Sequence, residues 1–227
     1  MKCIQFIFLT GMLAIFSGCG NMKRGAGQDN GGGTGEPKTF GTAAEAAAAA
    51  KNDMLSAIAQ KVDLGVDSVK LRAATAGEPI AHYDVNWDEL LKGDTVTDLQ
   101  RIAVPTYTSI VPFVADTVVI AVAGLNTDSQ KFKINMLGDK KFTAELNAIS
   151  KRTAIAKGGM TILEVPNLAA TVYKVTLQGR SLYYTSYNNL SLREGVNGAA
   201  IVRLLWTDAQ IFQKRFGDTL KKSKLVH

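Results

Sequence analysis

The stretch TAAEAAAAAKNDMLSAIAQKV, residues 42–62, decides the fold, because it predicts one helix ahead of a series of strands. Thr42 and Glu45 have the spacing of a capping box, in which hydroxyl and carboxylate each accept from a free backbone N–H. Alanine has the highest helix propensity, and apolar residues recur at helical spacing. We expect this helix to pack on a sheet, with a partner-bound or membrane-lying helix as the alternative. Its apolar stripe consists of Ala44, Ala48, Leu55, Ile58 and Val62.

After Val69 the apolar period changes to two, which is typical of half-buried antiparallel strands. The alternation is seen in VKLRAAT, IAHYDVNW and KFKINML, and the apolar stretch VPFVADTVVIAVAG has a turn at Ala115–Asp116. The second half adds TILEV, ATVYKVTL and RSLYYTSY. Glu78–Pro79 marks a turn in the first half, and Gln178–Gly179 is typical of a hairpin turn in the second.

Further helices are predicted at DELLKG, which ends at Gly93, at FTAELNAISKR, and at TDAQIFQKRFGDTLKK near the C-terminus. Thr207 and Gln210 have capping-box spacing in the last of these, while AAIVRLLW before it fits either strand or helix. A helix followed by strands without a strand–helix repeat predicts an α+β fold. We expect an N-terminal helix on an antiparallel, meander-like sheet, with a C-terminal helix. This order of elements loosely resembles cystatin-like folds.

The N-terminus carries the pattern of an export signal. Lys2 precedes the apolar run Ile4–Phe16, and small residues lead to Cys19. Thirteen residues rise only about 20 Å as a helix, short of the roughly 30 Å hydrocarbon core of a bilayer, so cleavage fits better than spanning. The ending FSGC, residues 16–19, resembles the lipobox of bacterial lipoproteins, although Phe16 stands where Leu is usual. The resemblance implies cleavage before Cys19 and its lipidation.

The predicted organisation is a signal peptide at residues 1–18, a lipidated Cys19 with a glycine-rich tether to residue 41, and an α+β domain at 42–227. Residues 20–41 hold eight glycines and little that can be buried, which predicts a flexible segment with a reach of about 25 Å. A subdivision of the domain near residue 150 remains open. If the lipobox is used, a membrane is the first partner of the protein. The resemblance to lipoproteins also implies that Gly20 after the cysteine, in place of Asp, favours the outer membrane in a Gram-negative cell.

Composition excludes several chemistries. The chain has a formal charge of +6 and a pI of 9.3, but its 26 basic residues are scattered, which argues against nucleic-acid binding. Both cysteines, Cys3 and Cys19, lie in the first twenty residues, so no disulfide is expected in the domain. With His82 and His227 as the only histidines, the sequence predicts no metal site and no cofactor.

Two sets of residues remain as candidate sites. His82 and Asp84 share one face of a predicted strand, with Asp88 and Glu89 following, so an acid/base site of a hydrolase type is conceivable. No nucleophile elbow, phosphate loop or dinucleotide fingerprint is present to support an enzyme. The second set combines tyrosines, which offer an apolar ring with a polar tip, with two amides that suit sugar or peptide contacts. It consists of Tyr183, Tyr184, Tyr187, Asn188 and Asn189.

The sequence thus indicates a lipid-anchored bacterial envelope protein, in the cell membrane or outer membrane, that acts as a non-enzymatic binding module. Its partner would be an envelope protein or a polysaccharide. An exported enzyme using His82 is the alternative from another class. A structural subunit, in which the alanine-rich helix and apolar strands meet other chains, is a third.

Overall fold

The computed structural model describes residues 38–93, 96–150 and 159–223. The predicted signal peptide, Cys19 and the predicted tether as far as residue 37 lie outside the described residues. Phe40, inside the predicted tether, already pairs with the sheet: it exchanges two backbone hydrogen bonds of 2.9 Å with Phe132.

Within the described residues, the chain forms five helices and eight strands. The helices are α1 (Ala43–Ala59), α2 (Ser68–Ala73), α3 (Trp87–Lys92), α4 (Lys140–Ser150) and α5 (Gly198–Ser223). The strands are β1 (Thr75–Ala76), β2 (Ile80–Val85), β3 (Ala103–Ala115), β4 (Val118–Asp128), β5 (Lys131–Leu137), β6 (Met160–Val165), β7 (Ala170–Leu177) and β8 (Arg180–Tyr184). Short 3₁₀ turns occupy Leu99–Ile102, Pro166–Leu168 and Tyr187–Asn189.

One sheet contains all of these strands, in the order β5-β4-β3-β2-β6-β7-β8, with β1 paired to β3. β2 to β5 form one antiparallel meander and β6 to β8 form another. The two meanders are joined by a parallel pairing of β2 with β6. The α+β prediction is confirmed, and strands from both sides of residue 150 belong to the same sheet. The parallel joint was not expected, because a pairing between strands eighty residues apart leaves no local signal.

Helices cover both faces of the sheet. On one face, α1 and α2 pack over β3, β4 and β5, while α3 and α5 pack over the β2 and β6–β8 side. On the opposite face α4 packs over β4 and buries Leu146 and Ile149 among Ile110, Val122 and neighbouring residues. The central strands β3, β4, β6 and β7 therefore have buried residues on both faces over part of their length.

The N-terminus of α1 has the predicted capping box. The backbone N–H of Glu45 donates to Thr42 Oγ1 at 3.2 Å, and Glu45 Oε2 accepts from the backbone N–H of Thr42 at 3.2 Å. The predicted stripe is wrong in the first turns of the helix, because Ala44 and Ala48 are exposed. Ala46, Ala47 and Ala50 are buried instead, and their small side chains let the helix approach the sheet closely.

The structure corrects the prediction of a strand at VKLRAAT. These residues form α2, which begins after Asp67, whose carboxylate accepts from the backbone N–H of Val69 and Lys70. Leu71 is fully buried, whereas Val69 is 73% exposed. The alternating apolar and polar residues therefore belong to a short helix that buries only Leu71. The extended strand is limited to Thr75–Ala76.

The C-terminal helix begins earlier than its capping signal predicted. AAIVRLLW is helical, and α5 starts at Gly198, where Asn197 Oδ1 accepts from the backbone N–H of Ala200 at 2.8 Å. Thr207 lies inside the helix and donates its hydroxyl to the carbonyl of Arg203 at 2.8 Å instead of capping. The continuous helix buries Ile201, Leu205 and Ala209 on the sheet.

Candidate functional site

The parallel joint of β2 and β6 brings together residues that are far apart in sequence. His82 lies opposite Ile162, and Asp84 lies opposite Glu164. Since side chains alternate between the faces of a strand, His82, Asp84 and Glu164 project from the same face, the one that α4 partly covers. α4 covers Ile80 on this face, and the three polar residues follow further along the two strands.

These three residues form a compact group. One side-chain donor atom from each lies within 4.8 Å of the others. His82 Nε2 is 3.7 Å from Glu164 Oε1, and the side chains of His82 and Glu164 are 17% and 33% exposed. Among the described residues nothing hydrogen-bonds to Nε2 of His82, although this atom is buried from solvent. The group therefore offers an imidazole and two carboxylates as possible metal ligands, and the Nε2 nitrogen of the imidazole has no hydrogen-bond partner among the described residues.

A β-bulge lies beside His82. Ala81 pairs with Ser109 and Tyr83 with Pro105, so three residues of β3 oppose His82 alone. The hydroxyl of Thr106 donates to the carbonyl of His82 at 2.9 Å. Tyr107, at the centre of the bulge, has a φ of +59° and is 73% exposed. Bulges of this kind redirect side chains and are common beside functional sites.

A third carboxylate, that of Glu145 on α4, faces the same side of the sheet. Tyr173, one strand beyond Ile162, donates its hydroxyl to Glu145 Oε2 at 2.5 Å, and the hydroxyl of Ser186 donates to Glu145 Oε1 at 3.2 Å. Burial, and then the hydrogen bond to Glu145, raise the pKa of Tyr173 far above its usual range. Tyr173 therefore remains a hydrogen-bond donor, and Glu145, 8% exposed, is held in a fixed position from α4.

The acid/base residues considered from sequence are only partly brought together. His82 and Asp84 belong to the group, but Asp88 and Glu89 lie on α3 and are not part of it. Glu89 instead forms an ion pair with Lys92 one turn later, at 2.5 Å. Glu164 was missed, and no sequence signal was available to find it, because its place beside Asp84 depends on the pairing of β2 with β6.

The predicted cluster of tyrosines and asparagines is not assembled into one surface. Tyr183 and Tyr184 project from opposite faces of β8 and are both buried. Tyr183 donates its hydroxyl to Asp98 at 2.6 Å. Asn188 and Asn189 are exposed in left-handed backbone conformations, with φ of +52° and +62°. Among the five, Tyr187 is the residue that lines a groove.

Tyr187 faces α5 across an open groove of about 260 Å³. Its hydroxyl donates to Asp208 Oδ2 at 2.9 Å, and burial followed by this hydrogen bond raises the pKa of Tyr187 to about 12. Phe216 at the rim is 48% exposed. The groove is lined by Leu168, Tyr187, Asp208, Ile211, Phe212, Arg215 and Phe216, and we refer to it as the α5 groove.

Aromatic rings support the floor of the α5 groove. Phe212 packs edge-on against Trp87 of α3 with ring centres 5.5 Å apart, and Phe216 follows at 5.0 Å from Phe212. The indole N–H of Trp87 donates to Gln213 at 3.3 Å. Arg215 at the edge of the groove is exposed. The groove thus combines a fixed apolar floor with an exposed cation at its edge.

The described residues form an α+β domain with a mixed sheet. Comparison with known proteins does not assign this domain to a narrower class. No family model, no curated protein and no solved structure matches the chain. In the described ranges, no helix is both long and apolar enough to cross a bilayer.

Proposed function

We propose that the protein is a lipid-anchored binding module of the bacterial cell envelope, and that it recognises an envelope protein through the α5 groove. The observation that carries the binding role is the half-exposed Phe216 beside the exposed Arg215 at the edge of a groove with an aromatic floor. Lipid anchoring is supported by the lipobox-like FSGC at residues 16–19.

The dimensions and composition of the groove favour a protein partner. Pockets for small ligands usually hold about 300–1,000 Å³, and the α5 groove, at about 260 Å³, has room for one large side chain. Tyr, Phe and Arg are enriched at the centres of protein interfaces, where an aromatic residue buries a large area at little entropic cost. Ile211, which is 47% exposed, extends the apolar surface beside Phe216 with an aliphatic side chain, and an apolar side chain of a protein partner would cover both residues.

The charges around the groove favour an acidic partner. Lys214 and Arg215 are both exposed on α5, and Lys221 and Lys222 follow in the sequence of its last turns. Asp208, the carboxylate that lines the groove, already accepts a hydrogen bond from Tyr187. We therefore expect the partner to insert an apolar side chain beside Phe216 and to place a carboxylate against Arg215.

Anchoring predicts a complete dependence on Cys19. When the full chain is expressed in a bacterium, the protein should start at Cys19, carry the mass of its acyl chains and partition with membranes. Cys19→Ala should remove the added mass, because the variant lacks the thiol that carries the acyl chains. Intact mass spectrometry and detergent phase separation measure the added mass and the membrane partition.

Cys3→Ala is the matched control, since Cys3 lies in the segment that is removed. Its mature protein should be indistinguishable from wild type. An unmodified wild-type chain, or a Cys19→Ala chain that still carries the mass of acyl chains, would contradict the anchor. The binding role would then depend only on the cross-linking experiment at the α5 groove.

The binding role predicts a position-dependent cross-link. A photoreactive phenylalanine analogue replacing Phe216, in the bacterium that makes the protein, should give an adduct with one envelope protein of defined mass. The same analogue at Val69, which is 73% exposed on α2, should not give that adduct. Arg215→Glu should reduce the yield at position 216 at least about tenfold, as expected for reversal of a charge at an interface. Equal adducts at both positions, or a yield unaffected by Arg215→Glu, would exclude the groove.

A further inference from the structure

We propose that His82, Asp84 and Glu164 bind a zinc ion on the sheet face beside α4. This inference does not depend on the proposed binding function, because it concerns another part of the fold and another ligand. It departs from the sequence-based expectation of no metal site, which rested on the small number of histidines.

The first argument is the unsatisfied nitrogen of His82. Nε2 is buried from solvent and finds no hydrogen-bond partner among the described residues, while the side chain as a whole is 17% exposed. Leaving a buried polar atom without a partner costs about 1–3 kcal/mol, so such atoms usually have a function or a ligand. Imidazole nitrogen is a common zinc ligand, and this one faces two carboxylates.

The second argument is the separation of the donor atoms. At 3.7 Å, His82 Nε2 and Glu164 Oε1 are too far apart for a hydrogen bond. Two ligands that are each about 2.1 Å from a shared zinc ion lie roughly 3.4 Å apart in tetrahedral geometry. The observed distance is close to that value, and Asp84 contributes a third ligand atom to a set in which one atom from each residue lies within 4.8 Å of the others.

The third argument is the juxtaposition of two carboxylates. Asp84 and Glu164 are direct neighbours on paired strands and lie on the same face. Like charges in this position repel each other, and a bound cation would remove the repulsion. In the described ranges no lysine or arginine forms an ion pair with either residue.

The donor set points to zinc. One imidazole and two carboxylates suit Zn²⁺ or Mn²⁺, and zinc binds more tightly to a given set of nitrogen and oxygen ligands. The hydrogen bond from Thr106 to the carbonyl of His82 fixes the backbone at the bulge, and thereby the position of the histidine. Three protein ligands leave one position of a tetrahedral ion open. A water molecule or a donor group of a second molecule would complete the coordination.

The test uses the full, untagged chain after treatment with a chelator. Titration with zinc chloride in competition with a chromophoric chelator should show one site per chain. His82→Gln and Glu164→Gln should each weaken binding at least about a hundredfold, because even loss of an outer-shell partner costs about 10–100-fold. His227→Gln and Glu89→Gln are the matched controls, since they remove the other histidine and a carboxylate on α3, and they should bind as wild type.

The thermal unfolding midpoint gives a second readout. Zinc should raise this midpoint in wild type and in His227→Gln, and leave it unchanged in His82→Gln. If His82→Gln or Glu164→Gln fails to fold, Asp84→Asn replaces it. Asp84 is exposed, so its substitution leaves the strand pairing intact. Absence of stoichiometric zinc binding by wild type, or undiminished binding by His82→Gln or Asp84→Asn, would overturn the proposal.

Discussion

Asp98→Ala is expected to lower the free energy of unfolding by about 3 kcal/mol, because it leaves a buried ammonium group without its counter-charge. Lys174 Nζ donates to Asp98 Oδ2 at 2.7 Å, and its side chain is only 11% exposed. Tyr183 and the backbone N–H of Gln100 donate to Asp98 Oδ1 at 2.6 Å and 2.8 Å. One carboxylate thus holds the 3₁₀ turn Leu99–Ile102 against β7 and β8.

Urea denaturation at neutral pH measures the effect, and Asp128→Ala is the matched control. Asp128 also pairs with a lysine, Lys133, at 3.1 Å, but its side chain is 63% exposed, so its loss should have little effect on stability. The double variant Asp98→Ala/Lys174→Met should recover part of the loss, since it removes the unpaired cation as well. Equal sensitivity of Asp98 and Asp128 would contradict a buried network.

The same network predicts a pH dependence. Burial acts to raise the pKa of Asp98, but hydrogen bonds from Lys174, Tyr183 and Gln100 outweigh it and hold this pKa below its ordinary value of 3.8. A group whose pKa is depressed on folding stabilises the folded state above its unfolded-state pKa. The difference in unfolding free energy between wild type and Asp98→Asn should therefore be constant above about pH 5 and shrink as the pH falls below 4.

Elements specified by local signals were predictable from sequence. The capping box fixed the start of α1, and the turn at Gln178–Gly179 placed both strands of the last hairpin, where both residues have positive φ. Gly93 ends α3 with a φ of +55°. In each of these the determining interaction spans five residues or fewer, so the residues that specify it stand side by side in the sequence.

Elements that depend on distant partners were not predictable. The pattern VKLRAAT fits a strand as well as it fits a short helix, and the choice is made by the burial of Leu71 against α1 and the sheet. Thr207 and Gln210 have the spacing of a cap, but Asn197 starts the helix ten residues earlier. A capping residue can start a helix only where the residues before it are not helical. Here the residues before Thr207 stay helical because Ile201 and Leu205 pack in the core.

The candidate sites also divide into residues that local sequence signals identify and residues that only the tertiary structure brings together. His82 and Asp84 were identifiable because they are neighbours on one strand, whereas Glu164 enters through the β2–β6 pairing. The tyrosine cluster failed as a surface because alternation along β8 turns Tyr183 and Tyr184 to opposite faces, each of which is covered. Tyr187 reaches a groove because the chain leaves the strand before it. Exposure, which decides whether an aromatic residue binds a partner or fills a core, is set by tertiary structure.

The pairing of β2 with β6 is therefore the feature on which both the sheet and the proposed zinc site depend. It is the one parallel contact among the strand pairs of the described residues, and it is made in the middle of the sheet. Leu163 is the residue of β6 at the centre of this joint. It lies between Tyr83 on one side and Val172 on the other, and it is fully buried beneath α5.

Leu163→Ala is expected to lower the free energy of unfolding by about 3 kcal/mol, because it removes buried methyl groups and leaves a cavity that rigid neighbours on both sides cannot fill. Leu182→Ala makes the same chemical change on β8, where the leucine is 40% exposed, and should cost less than about 1 kcal/mol. Urea denaturation of both variants measures the difference. Similar losses at the two positions would show that β6 does not lie at the centre of the sheet, and the pairing that aligns Asp84 with Glu164 would then have to be abandoned.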